Sequence, residues 1–158
     1  MRFTDLIGVP FINKGRSKET GFDCYGLVKE VYRRYGYDIP EYDALYKDYT
    51  DMCRINELIR GNTKRYPWKE IKEPVEPCLI ALRFGSPDGV VNHTAVYIGE
   101  ERFIHTRERI GVNIDRLDNP AWRRVIVGFY RFEGEKHGNT GTCEEPFQPT
   151  GRAGSNAN

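Results

Sequence analysis

Three side chains scattered along the chain, Cys24, His93 and His105, are of the types that together carry out nucleophilic acyl chemistry. A thiolate attacks a carbonyl carbon, an imidazole takes the thiol proton and later returns it, and a third polar group holds that imidazole in one tautomer. Cys24 follows Asp23 and precedes Tyr25-Gly26-Leu27-Val28, where a helix is about to begin. At a helix N-terminus the macrodipole and the unpaired N–H groups favour the thiolate. The same N–H groups can receive a developing oxyanion. Gly26, with no Cβ, lets a backbone or a substrate come close to that first turn. Each residue also has a plainer reading: a small core cysteine, a strand-end histidine facing solvent, and a core histidine satisfied by backbone. Zinc is the competing use of the same three groups. The chain has no HxxxH or CxxC pair, and such short-spaced pairs are the usual mark of a zinc site. No metal and no cofactor is expected.

Only particular elements can bring these residues together. Leu27, Val28, Val31, Tyr32 and Tyr35 recur at helical spacing and form one apolar face. Asp23 stands where an N-cap carboxylate belongs and Gly36 where a C-cap glycine belongs. The thiol therefore sits at the start of a helix. Asp38–Tyr49 reads as a polar connection and Met52–Gly61 as a short helix. After that the period changes. Pro77–Phe84, His93–Ile98, Arg102–Thr106, Gly111–Leu117 and Val125–Phe132 read as strands separated by turn signals. An N-terminal helical region followed by a run of antiparallel strands is an α+β pattern. Side chains alternate along strands, so His93 and His105 share a sheet face only across a loop of odd length. Gly99-Glu100-Glu101 as a three-residue loop sets Ile98 opposite Arg102 and Ala95 opposite His105, which makes the two histidines diagonal neighbours.

The 158 residues carry 24 Lys+Arg against 23 Asp+Glu, which leaves no basic excess for phosphate binding and argues against a nucleic-acid partner. The basic pair Arg123-Arg124, with Trp122 before it, reads as a solvated rim. No apolar run is long enough for a transmembrane segment. The first residues lack the basic-then-apolar order of a secretory signal, so a protein that is cytoplasmic when synthesised is expected. Cys24, Cys53, Cys78 and Cys143 match no disulfide framework and read as free thiols. From Gly134 to Asn158 the composition turns polar and rich in Gly, Thr and Asn. The expected organisation is one domain over residues 1–133 and a flexible polar tail over 134–158.

The segments GFDCYGLV, NHTAVYIG and RFIHT, in that order, resemble the NlpC/P60 family of papain-like cell-wall cysteine peptidases. The resemblance runs from about Asp5 to Phe132. It implies a papain-like α+β fold in which the N-terminal helix carrying the nucleophile packs on an antiparallel sheet. It implies a Cys24–His93–His105 triad with His93 as base and His105 as the orienting residue. Asp23, beside the nucleophile, matches a position that helps shape the substrate pocket, and Tyr25 on its other side is expected to contact substrate as well. The implied reaction is hydrolysis of stem-peptide amides in peptidoglycan, often between D-glutamate and a diamino acid, through an acyl-enzyme. Two departures bear on bond specificity. Tyr25 replaces the usual Ser, and Pro10-Phe11 with Asn13-Lys14-Gly15 replaces an upstream segment that usually holds a Tyr. DCYGLV and the Gly111–Phe132 segment look most like the phage-tail branch, which implies tail-tip proteins as partners and action at the cell wall from a virion tail. The rivals are an acyltransferase or amidase of the same fold and a catalytically silent tail module.

Overall fold

Helix formation at the thiol follows from an apolar stripe and two good ends. The computed structural model describes residues 2–137. A two-stranded hairpin, β1 (Arg16–Ser17) and β2 (Gly21–Phe22), leads directly into α1 (Cys24–Arg34). Asp23 caps α1 by accepting from the Gly26 amide at 2.6 Å, and Gly36 follows the helix with φ +89°. Leu27, Val28, Val31 and Tyr32 form the buried face, as their spacing predicts. Gly26 is needed for a close approach of backbone: a Cβ there would lie 1.9 Å from the Gly15 carbonyl oxygen. A polar connection with one short 3-10 turn follows, and then α2 (Met52–Asn62), capped by Asp51.

Six strands complete the body: β3 (Trp68–Ile71), β4 (Cys78–Leu82), β5 (His93–Tyr97), β6 (Arg102–Arg107), β7 (Gly111–Arg116) and β8 (Ile126–Phe132). They pair antiparallel in the order β3-β8-β4-β5-β6-β7. The four-residue β3 was absent from the sequence expectation; Trp68 anchors it opposite Phe132 at the sheet edge. β4 is buried at all five positions, as a strand between neighbours must be. One face of the sheet packs on α1 through Leu79, Val96 and Ile104 against Leu27, Val31 and Tyr32. The other face holds a smaller cluster of Ile80, Leu82, Ala95, Phe103 and Leu117, closed by Trp122 from the short helix α3 (Pro120–Arg123). Trp122 is thus 8% exposed and part of the core, whereas its sequence setting reads as a solvated rim.

The body runs four residues past the expected boundary. Lys136 bridges to Tyr37, and the His137 amide donates to the Gly36 carbonyl at 2.6 Å. The rest of the expected tail, with Cys143, lies outside the described residues. Cys24, Cys53 and Cys78 are free thiols. Among the described residues no helix is long and apolar enough to cross a membrane.

Candidate active site

The turn after β5 does what its length requires. Ile98 donates to the Arg102 carbonyl at 2.9 Å, Arg102 donates back to Gly99 at 3.0 Å, and Val96 pairs with Ile104. Gly99, Glu100 and Glu101 all take positive φ to close the loop. This register brings His93 Nε2 to 3.0 Å from His105 Nδ1. Both rings are buried, at 6% and 0% exposure. Phe84 lies against His93 with ring centroids 5.2 Å apart, and Trp122 meets His105 edge-on at 4.8 Å.

The next turn extends the chain of contacts. β7 pairs with β6 so that His105 faces Asn113 and Phe103 faces Asp115. His105 Nε2 then lies 2.9 Å from Asp115 Oδ2, and the Asn113 amide donates to the same oxygen at 2.7 Å. Asp115 and Asn113 were not singled out from the sequence. The signal was available: Glu108-Arg109-Ile110 is a second three-residue loop, so the same parity argument carries the His105 face across to β7.

These contacts fix the protons. Burial, then the neighbouring charge of His105 and of Arg107, holds His93 well below the usual histidine range. Burial also lowers His105, against the pull of Asp115. Asp115 is itself lowered, chiefly by its hydrogen bond from His105. At neutral pH both imidazoles are therefore neutral and each carries one proton. A carboxylate can only accept, so the His105 proton sits on Nε2. His105 Nδ1 is then an acceptor, and His93 must donate to it from Nε2. This leaves the lone pair of His93 Nδ1 free to act as a base.

Cys24 and His93 line one cavity of about 310 Å³, together with Phe11, Tyr49 and Arg107. On its other side Cys24 borders a smaller, apolar cavity of about 70 Å³ walled by Tyr25, Tyr42, Tyr46 and Trp68. Phe11 packs edge-on against Tyr49 with centroids 5.1 Å apart, and both rings line the larger cavity. Tyr25 turns its hydroxyl away to donate to the Pro40 carbonyl at 2.7 Å, and offers only ring surface to the small cavity.

Asp23 lines the small cavity, yet its carboxylate is fully engaged. It accepts from Arg16 Nη1 at 2.7 Å, from the Gly26 amide at 2.6 Å and from the Tyr46 hydroxyl at 2.5 Å. Arg16 in turn forks onto Glu41 with two bonds of 2.9 Å. Asp23 thus shapes the site as the fixed corner of an ion-pair network. The thiol differs from its sequence expectation. Burial, then the nearby negative charge of Asp23, pushes Cys24 up to about 11, while polar groups of Thr94 and the Tyr25 backbone pull the other way. Burial thus works against the thiolate that the helix terminus favours. Among the described residues no three His, Cys, Asp or Glu side chains are grouped to hold a metal ion.

With this geometry in view, comparison with known proteins is specific. The NlpC/P60 family profile matches residues 8–131. The chain is 25% identical over 124 residues to the murein DD-endopeptidase MepS/murein LD-carboxypeptidase of Escherichia coli, covering 78% of this chain and 55% of that protein. It is 27% identical over 128 residues to the gamma-D-glutamyl-L-lysine dipeptidyl-peptidase of Bacillus cereus, covering 80% of this chain and 33% of that one. The chain therefore spans only about a third to a half of the length of these relatives. The crystal structure of an NlpC/P60 family protein from Bacillus cereus superposes with a TM-score of 0.57 at 25% identity, over 82% of this chain and 37% of that one.

Proposed function

The chain belongs to the NlpC/P60 family, and from that premise we propose that it is a cysteine peptidase hydrolysing stem-peptide amides of peptidoglycan. Cys24 is the nucleophile, His93 the base and His105 the residue that orients it. The observation that carries the reading is the relay from His93 through His105 to Asp115, which leaves a basic lone pair on His93, a residue that lines one cavity with Cys24.

As Cys24 Sγ attacks the scissile carbonyl carbon, its proton passes to His93 Nδ1 and the carbonyl oxygen becomes an oxyanion. The Gly26 amide is committed to Asp23, so the amides of Cys24 and Tyr25 are the donors of the first turn left to receive that charge. The His93 imidazolium then gives its proton to the leaving nitrogen, the C–N bond breaks, and a thioester remains. Water, deprotonated by His93, cleaves the thioester and regenerates the thiol. Relatives named as murein and gamma-D-glutamyl peptidases support this substrate class. The phage-tail setting is part of the proposal and rests on the sequence resemblance of DCYGLV and the Gly111–Phe132 segment.

The test is mass spectrometry of fragments released from purified peptidoglycan by the protein and by Cys24→Ala. New peptide ends from the unaltered protein alone are expected, and they name the bond. Equal release by Cys24→Ala would overturn the mechanism.

A further inference from the structure

A hydroxyl stands among the apolar residues that join the sheet to α1. Side chains alternate along β5, so Thr94 and Val96 point to the face that α1 covers, with Ala81 and Leu79 opposite them on β4. Leu79 and Val96 belong to the core packed on α1, and Thr94 is buried at 2% exposure. Its Oγ1 has no hydrogen-bond partner among the described residues. A valine has nearly the same shape and would bury no hydroxyl there. A buried hydroxyl without a partner costs stability unless another state of the protein supplies one.

The state that could supply it lies at the thiol. Thr94 and Cys24 line the same small cavity. Thr94 also follows His93 directly, so one strand end brings both the base and this hydroxyl to the start of α1. Burial and then the Asp23 carboxylate resist ionisation of Cys24, whereas the hydroxyl and amide of Thr94 and the amide of Tyr25 favour it. A neutral thiol is a weak acceptor and gives a hydroxyl little reason to turn toward it. A thiolate carries a full negative charge, and a hydroxyl proton rotates to meet it without any movement of heavy atoms.

We propose that the Thr94 hydroxyl donates a hydrogen bond to Cys24 Sγ once the thiol proton has passed to His93, and so holds the nucleophile in its attacking form. The inference rests on the assignment of Cys24 as nucleophile in the peptidase reading above. The stability lost to an unpartnered hydroxyl at rest is returned as charge develops, because hydrogen bonds to ions are stronger than those between neutral groups. The contact is to sulfur and not to the scissile peptide. Its loss is therefore felt with any electrophile that Cys24 attacks.

The experiment follows alkylation of Cys24 by iodoacetamide in the full chain. It is read by mass spectrometry of the peptide that contains Cys24, because Cys53 is exposed and reacts separately. Thr94→Val keeps the shape and removes the hydroxyl, and should react about 10-fold more slowly than the unaltered protein at each pH from about 7 to 9. Thr94→Ser restores the hydroxyl and should recover most of the rate. Alkylation of Thr94→Val at the unaltered rate overturns the proposal. So does a Thr94→Ser protein as slow as Thr94→Val, since the fit of the side chain and not its hydroxyl would then matter. If Thr94→Val does not fold, Thr94→Ala set against Thr94→Ser decides by the same two results. Alkylation needs no peptide substrate, so the two readings fail separately. An unaltered protein that releases nothing from peptidoglycan overturns the peptidase, while the alkylation rates alone decide the role of Thr94.

Discussion

Cys24 and His93 border one cleft, but opposite kinds of surroundings hold them there. Around the nucleophile the protein spends charge: Arg16, Asp23, Glu41 and the Tyr46 hydroxyl form a closed network at the start of α1. Around the base it uses neutral rings: His93 and His105 are bonded to each other and packed by Phe84, Phe103 and Trp122. The proposed mechanism asks different things of the two regions. The base must gain and lose a proton, and a neutral relay ending on one carboxylate can follow that change. The corner beneath the thiol must stay still, and saturated ion pairs do that. Under the proposed mechanism, residues around His93 set rate and residues around Asp23 set stability.

The largest expected effect lies on the active pair. Cys24→Ala and His93→Ala should each lower kcat by about 10⁴-fold or more, with thermal unfolding nearly unchanged. Peptide release and a melting curve check both parts together. His105→Ala should cost about 10²-fold in kcat, because an orienting residue contributes less than the base it holds. A loss as complete as that of His93→Ala would mean that His105 does more than orient. On the charged side the order reverses. Asp23→Ala removes a helix cap and strands Arg16, and should cost about 2–3 kcal/mol. Such a loss would lower Tm by roughly 5–10 °C in a chain of this length. If Asp23→Ala instead left Tm alone and abolished turnover, the division between the two regions would be wrong.

The smallest effects are in pH. With the thiol pushed up to about 11, the rate of Cys24 alkylation by iodoacetamide should climb steadily through the alkaline range. A plateau reached in mild acid would reveal a resting thiolate–imidazolium pair and break the comparison. His93 and His105 have folded values below the ordinary 6.5, so the unfolded chain takes up protons first as pH falls. Stability should accordingly decline below about pH 6.5, and the slope of Tm against pH should shrink in a His93→Gln, His105→Gln double variant.

The nucleophile side was the more legible in the sequence where the signals are local. Cap, apolar stripe and closing glycine of α1 all lie within one stretch, and the structure follows them. The two histidines were legible through one counted loop, because alternation turns loop length into sidedness. What escaped depends on partners distant in sequence. Asp115 matters only because β7 lies beside β6; Trp122 looked like rim because nothing near it in sequence reveals the sheet face it covers. β3 is too short to show alternation and forms because β8 offers it an edge. The raised thiol escaped because burial outweighed the helix terminus, and burial is a tertiary property.

The hydrogen bond from His137 to Gly36 has a practical consequence for anyone attaching something to this protein. It pins the outgoing chain at the end of α1 farthest from Cys24, and an 11-residue helix is about 16 Å long. A fused reporter, tether or affinity handle placed after His137 therefore departs from the pole opposite the cleft. It would need about five extended residues merely to come level with the thiol. Immobilising the protein through that end should leave its cleft facing a large, insoluble polymer such as the cell wall.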